Sequence, residues 1–173
     1  MSGSNVMHAT TDLSKSKFAA IGRLMVCWGC LEYTYGQVVA QALGLKAKEG
    51  RIAMSRLNLR SKHEMLILAA RVRGAQNAEN DFEEFWKLVT KVQEGRNDMA
   101  HSVWFVLQAN SKRNLRLVKY RGGKKDVNRI IGKHYKVQTS EIVKLATAAD
   151  KLVDSLSTLW TKHSGTLVPS SPK

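Results

Sequence analysis

Apolar and aromatic residues recur along the first quarter of the chain with a helical period. Phe18, Ile21, Met25, Trp28, Glu32, Tyr35, Val39 and Ala42 follow one another at alternating steps of three and four, which places all eight on one stripe. Thr11 or Asp12 supplies an N-cap and Gly44 a stop, so the spacing predicts a long helix ending near Leu43. A short helix over Arg51 to Leu57 and another over Ser61 to Gly74 follow. Asn80, with Glu83 three residues later, has the form of a capping box and predicts the start of the next helix. The stripe of that helix reads Phe82, Phe85, Val89, Val92, Arg96, Met99 and Val103.

The pattern changes at Val103. Val103 to Leu107 and Leu115 to Tyr120 are rich in β-formers and flank Asn110 and Ser111, which predicts a β-hairpin over about 103–120. A basic loop over 121–136 follows, with a short third strand expected near His134 to Val137. Thr139 or Ser140 is expected to cap a final helix with the stripe Ile142, Leu145, Ala149, Leu152, Leu156 and Leu159. Residues 1–10 and the tail 164–173, which holds both prolines, lack periodicity and are expected to be disordered. No internal repeat is present. The fold class predicted is mainly α: a bundle of four to five helices over 11–163, with a small β-hairpin inserted before the C-terminal helix.

Two charges stand on otherwise apolar stripes, Glu32 and Arg96. Burying one charge alone costs several kcal/mol. The economical expectation is that they meet where their helices pack, with Glu32 orienting the guanidinium; the alternative is that each snorkels to solvent from the stripe edge.

Charge narrows the partners. Twenty-eight Lys and Arg oppose 14 Asp and Glu, for a net +14, and the pI is near 10.0. That balance favours a polyanion, nucleic acid or an anionic membrane surface. Arg23 and Glu32 interrupt the longest apolar stretch, so no membrane span is expected, and the polar stretch Met1 to Lys17 lacks the core of a signal peptide. With only two cysteines, the expected setting is the reduced cytoplasm.

Candidate chemistry gathers at Arg96-Asn97-Asp98-Met99-Ala100-His101. On a helix Asn97 and His101 lie one turn apart on one face, with Arg96 on its shoulder. A guanidinium binds phosphate and stabilises charge that develops in a transition state. An imidazole near neutrality moves protons to and from ribose oxygens. At the motif one subunit supplies only His101, not an acid and a base on opposite sides of a phosphate, whereas a two-fold dimer supplies a second His101 and a second Arg96.

Arg-Asn-x-x-x-His on the third long helix of a small bundle resembles the hallmark of the HEPN superfamily, the higher eukaryotes and prokaryotes nucleotide-binding proteins. Trp28-Gly29-Cys30-Leu31-Glu32 and Asn58-Leu59-Arg60-Ser61-Lys62 add to the resemblance, which spans about residues 12–163. It implies a homodimer in which facing motif helices form a composite ribonuclease site. Arg96 and His101 would be catalytic, and Asn97 would help hold the His. The expected activity is a metal-independent endoribonuclease that cleaves RNA by 2′-hydroxyl attack and needs no cofactor. The chain would then act as a toxin or defence component, regulated by an antitoxin or another protein. The alternative implied is an inactive HEPN dimer that binds RNA or protein.

Between Lys112 and Lys136 lie ten cations and one acid: Lys112, Arg113, Arg116, Lys119, Arg121, Lys124, Lys125, Arg129, Lys133 and Lys136 against Asp126. This segment directly follows the motif and is expected to guide an RNA backbone through phosphate contacts; the alternative is a solvated sheet edge. Cys27-Trp28-Gly29-Cys30 has no second pair for zinc and reads as helix packing. Gly22, Gly29 and Gly36, seven apart, bring another backbone close, either within the chain or along a dimer seam. His63, His134 and His163 read as isolated surface or packing residues, and His8 falls in the N-terminal arm. No Walker-type loop or dinucleotide fingerprint is present.

Overall fold

In a computed structural model the chain is mainly helical. The structure describes residues 6–9, 13–101, 103–109, 112–121, 131–135 and 137–169, with side chains for 13–100 and 137–169. Five helices are present among them: α1 (Lys15–Ala42), α2 (Ala47–Ser55), α3 (Leu59–Val72), α4 (Gln76–His101) and α5 (Thr139–Leu167). Four strands, β1 (Val6–Ala9), β2 (Val103–Ala109), β3 (Lys112–Arg121) and β4 (Ile131–Tyr135), pair antiparallel in that order.

Local chemistry sets most helix ends. Gly44, at φ +71°, closes α1 by donating its N–H to the Gln41 carbonyl while Leu45 donates to the Ala40 carbonyl. This is the paired arrangement of a Schellman motif, and the left-handed residue in it favours glycine. Gly74, at φ +64°, repeats it after α3, with Gly74 and Ala75 donating to Arg71 and Ala70. The Asn58 side chain caps α3 by accepting from the Ser61 N–H at 2.9 Å.

Several boundaries differ from expectation. The predicted caps Thr11 and Asp12 lie outside the described residues. Helix α2 begins at Ala47, four residues before Arg51, and α3 begins at Leu59 because Asn58 caps it. Asn80 does not start α4. The helix begins at Gln76, directly after the turn at Gly74, and Asn80 lies inside it, accepting from Gln76 Nε2 at 3.1 Å. Neither Thr139 nor Ser140 caps α5: the Glu141 carboxylate reaches back to the Gln138 N–H at 2.6 Å. Helix α5 also runs past Ser164, because Leu167, one turn beyond His163, is fully buried. At the other end Val6–Ala9 is a strand, paired with Gln108 to Phe105 of β2. The open backbone groups of an edge strand recruit such a segment, and a four-residue strand leaves no periodic trace.

The chain divides into two compact units, one of residues 1–25 and 93–146 and the other of 26–92 and 147–173. In the first, which holds the sheet, Lys17 is buried and donates Nζ to the Val137 carbonyl at 2.9 Å. Burial pulls the Lys17 pKa below the usual lysine value, and the Glu141 charge partly offsets that. Gly95 brings α4 close to Leu145 of α5: a Cβ there would stand 2.7 Å from Leu145 Cδ2.

The second unit holds a core of Trp28, Leu31, Tyr35, Leu66, Phe82, Val89, Leu156 and Leu167, all buried. Gly50 of α2 fits against Ala40 of α1, where a Cβ would stand 2.6 Å from the Ala40 Cβ. The apolar stripe of α1 is rotated from the expected one. Leu24, Leu31 and Val38 are buried, as are Trp28, Tyr35, Val39 and Ala42 of the expected stripe, while Phe18 is 51% exposed. Both stripes have helical spacing and share four residues, so periodicity does not choose between them. The stripe of α4 is as expected through Phe82, Phe85, Val89, Val92 and Met99.

Candidate active site

The motif occupies the last two turns of α4, which ends at His101. Within it Arg96 Nη1 donates to Asn97 Oδ1 at 3.1 Å, so the guanidinium and the amide hold each other. Both side chains are half-buried, and Met99 beside them is buried. The positions follow from packing. Met99 continues the inward stripe, Gly95 admits Leu145 at the residue before Arg96, and Arg96 and Asn97 are left on the half-open flank. The C-terminal end of a helix favours cationic groups, which suits a guanidinium there. His101 is placed by its backbone as the final residue of α4, and its side chain lies outside the described residues.

Glu32 belongs to the other unit. Its carboxylate accepts from Trp28 Nε1 at 2.7 Å, and its backbone carbonyl accepts from Lys62 Nζ at 3.2 Å. The indole N–H thus satisfies the carboxylate inside this unit, and the nearby Lys62 charge interacts with it electrostatically. The expected pairing of Glu32 with Arg96 spans the two units, and each residue is described within its own.

Of the expected RNA-contacting cations, Lys112, Arg113, Arg116, Lys119 and Arg121 lie on β3. In register, Arg113 stands opposite Gln108, Arg116 opposite Phe105, and Lys112 opposite Ala109. Lys133 lies on β4, opposite Lys119. Lys124, Lys125, Arg129 and Lys136 lie outside the described residues. Among the described residues, no cluster of three or more His, Cys, Asp or Glu is placed to hold a metal ion, and no helix is long and apolar enough to cross a membrane.

Two histidines read as isolated are not. His63 Nδ1 lies 2.8 Å from the Tyr35 hydroxyl and its ring stacks on Trp86. His163 Nε2 lies 2.7 Å from Asp81 Oδ2, which also accepts from Lys162 Nζ at 2.7 Å. This Asp81 cluster borders a cavity of ≈ 580 Å³ lined also by Asn77, Asn80 and Thr166. His63 was findable: it stands on the buried stripe Leu59, His63, Leu66, Ile67, Ala70, where an imidazole needs partners. The partners themselves come from α1 and α4, and no local pattern names them.

The seven-residue glycine spacing also resolves. Gly36 packs inside the chain, where a Cβ would meet the Met54 Cβ at 3.2 Å, while a Cβ at Gly22 or Gly29 would meet nothing within 4 Å. Cys27 and Cys30 are free thiols.

No protein-family model, curated protein or solved structure matches this chain.

Proposed function

We propose that this chain is a metal-independent endoribonuclease of HEPN type, with a composite site shared by the motif helices of two copies. The observation that carries the reading is the Arg96–Asn97 hydrogen bond, 3.1 Å, within the last two turns of α4 that end on His101. It supports a guanidinium held by its neighbouring amide five residues before His101, next to a strongly basic segment of the sequence.

His101 of one copy takes the proton of the ribose 2′-hydroxyl. The freed oxygen attacks phosphorus, the P–O5′ bond breaks, and His101 of the second copy protonates the departing 5′-oxygen. The products are a 2′,3′-cyclic phosphate and a 5′-hydroxyl, so protons balance and no water is consumed. Arg96 binds the non-bridging oxygens and stabilises the charge that grows on them. Asn97 holds Arg96 and the His101 turn in place. Lys112, Arg113, Arg116, Lys119, Arg121, Lys124, Lys125 and Arg129 bind the RNA backbone on either side. Acting in the cytoplasm on cellular RNA, such an enzyme serves as a toxin or defence component and calls for an antitoxin partner.

The test is cleavage of a labelled RNA by the wild type against Arg96→Ala and His101→Ala. Loss of cleavage with retained RNA binding is expected in both variants. A wild type that dimerises and binds RNA without cutting it identifies the second reading, an inactive HEPN dimer that binds RNA or protein.

A further inference from the structure

Three helices of the second unit meet at one imidazole. His63 of α3 is 5% exposed. Its Nδ1 lies 2.8 Å from the hydroxyl of Tyr35 on α1, itself fully buried. Its Nε2 lies 3.5 Å from Glu83 Oε2 on α4. Trp86, three residues further along α4, lies flat on the ring at a centroid distance of 4.5 Å and an interplanar angle of 5°.

Donor accounting fixes the protonation state this arrangement requires. The Glu83 carboxylate only accepts, so Nε2 carries a hydrogen toward it. With the Tyr35 hydroxyl giving its one proton to Nδ1, that nitrogen is bare and accepts it. In this arrangement the ring is neutral. A second proton on Nδ1 would set a donor against a donor. The hydroxyl would have to turn, accept from Nδ1, and leave its own proton unsatisfied in a fully buried place, at a cost comparable to a lost buried hydrogen bond.

The charged and titratable groups facing the ring come from each element packed on it: Tyr35 from α1, Glu64 from α3 and Glu83 from α4. Lys62, the preceding residue, sends its Nζ instead to the Glu32 carbonyl at 3.2 Å. Burial lowers the His63 pKa, and the charges of Glu83 and Glu64 offset part of that.

We propose that His63 is an acid-sensitive latch, whose neutral ring ties α1, α3 and α4 together through Tyr35, Glu83 and Trp86, and whose protonation releases the Tyr35 bond and loosens that packing. The latch is independent of the proposed cleavage activity, because every group in it lies outside the motif.

The experiment follows the side-chain nitrogens of His63 by NMR in the full chain from about pH 8 to about pH 4.5, with tryptophan fluorescence recorded in parallel. A protonated imidazole stacked on an indole quenches it, so the Trp86 signal reports the same event; Trp86→Phe identifies its share. The expected result is the Nε2–H tautomer at neutral pH, and a protonation midpoint below the usual histidine value of about 6.5. Backbone amide exchange in α1 and α3 should rise with protonation. Tyr35→Phe keeps the ring packing and removes the Tyr35 bond, so amide exchange in α1 and α3 should already be raised at neutral pH and should respond less to His63 protonation than in the wild type. An Nδ1–H tautomer, a midpoint at or above the usual value, or amide exchange indifferent to His63 protonation would overturn the latch. Amide exchange in Tyr35→Phe equal to the wild type at neutral pH would also overturn it. Should that variant fail to fold, the tautomer and midpoint of the wild type decide the question.

Discussion

Arg96 and Asn97, adjacent in sequence, are joined side chain to side chain by a 3.1 Å hydrogen bond in the last two turns of α4. Neighbours on a helix point about 100° apart, so this bond requires the guanidinium to bend across the helix surface toward the amide. It leaves the planar face of the guanidinium defined before any substrate arrives. If that orientation serves phosphate binding, Asn97→Ala should lower RNA cleavage on the order of 10-fold. Removing Arg96 or His101 should lower it on the order of 10²-fold or more. Single-turnover rates on one labelled RNA, with binding measured separately, check the order of these effects.

The nucleophile can be identified from the substrate. RNA with one 2′-deoxy nucleotide at the cleavage position should remain uncut at that position and be cut elsewhere. The 3′ ends of the products should carry a cyclic phosphate, seen as a mass deficit of one water. EDTA should leave the rate unchanged, since the proposed mechanism draws its proton transfer and charge stabilisation from His101 and Arg96. Cleavage at the deoxy position, or loss of activity in EDTA, would remove the proposed mechanism.

Lys124 and Lys125 offer a separate handle on binding. Replacing both with Glu should weaken RNA affinity and reduce the slope of log affinity against log salt by roughly two for direct phosphate contacts. A salt titration of RNA binding by fluorescence anisotropy measures both quantities. An unchanged slope would assign these residues to solvent.

Gly50→Ala tests the packing of α2 on α1. Alanine is the better helix former, by up to about 1 kcal/mol. Its Cβ, however, would stand 2.6 Å from the Ala40 Cβ, which cannot move without its backbone. The clash should win and cost about 1–3 kcal/mol, read from the urea midpoint. Gly29→Ala, where a Cβ meets nothing within 4 Å, should instead leave stability unchanged or raise it.

Asp81 should give the fold an acid limb. Hydrogen bonds from Lys162 and His163 hold its carboxyl below the usual aspartate value. A carboxyl depressed in the folded state contributes stability that is present above the unfolded value, about pH 3.9, and lost as pH falls through the folded value. Asp81→Asn should therefore lower stability at neutral pH and flatten its fall between about pH 5 and pH 2. Urea unfolding across that range measures the difference.

The two histidine clusters show where reading a sequence stops. His63 stands at a buried stripe position, so its need for partners is local information. That those partners are Tyr35 and Glu83, 28 residues before and 20 residues after, is not. Likewise His163 and Asp81 are 82 residues apart and meet only when α5 packs on α4. The Arg96–Asn97–His101 motif is legible because its members lie within two turns of one helix. The setting of His101 is not, since it depends on what surrounds the end of α4.

The sequence by itself determined that five helical segments exist, that Gly44 and Gly74 end two of them, and that the α4 stripe from Phe82 to Met99 faces inward. These follow from the 3.6-residue period and from backbone conformations that glycine alone adopts easily, both properties of neighbouring residues. Tertiary structure decided which α1 stripe is buried, because Leu24, Leu31 and Val38 compete with Phe18, Ile21 and Met25 at equal spacing. It decided that Val6–Ala9 becomes a strand, that α5 continues to Leu167, and that Glu32 answers to Trp28 and Lys62. In each case the free energy lies in contacts between residues far apart in the chain, and a local pattern carries no record of them.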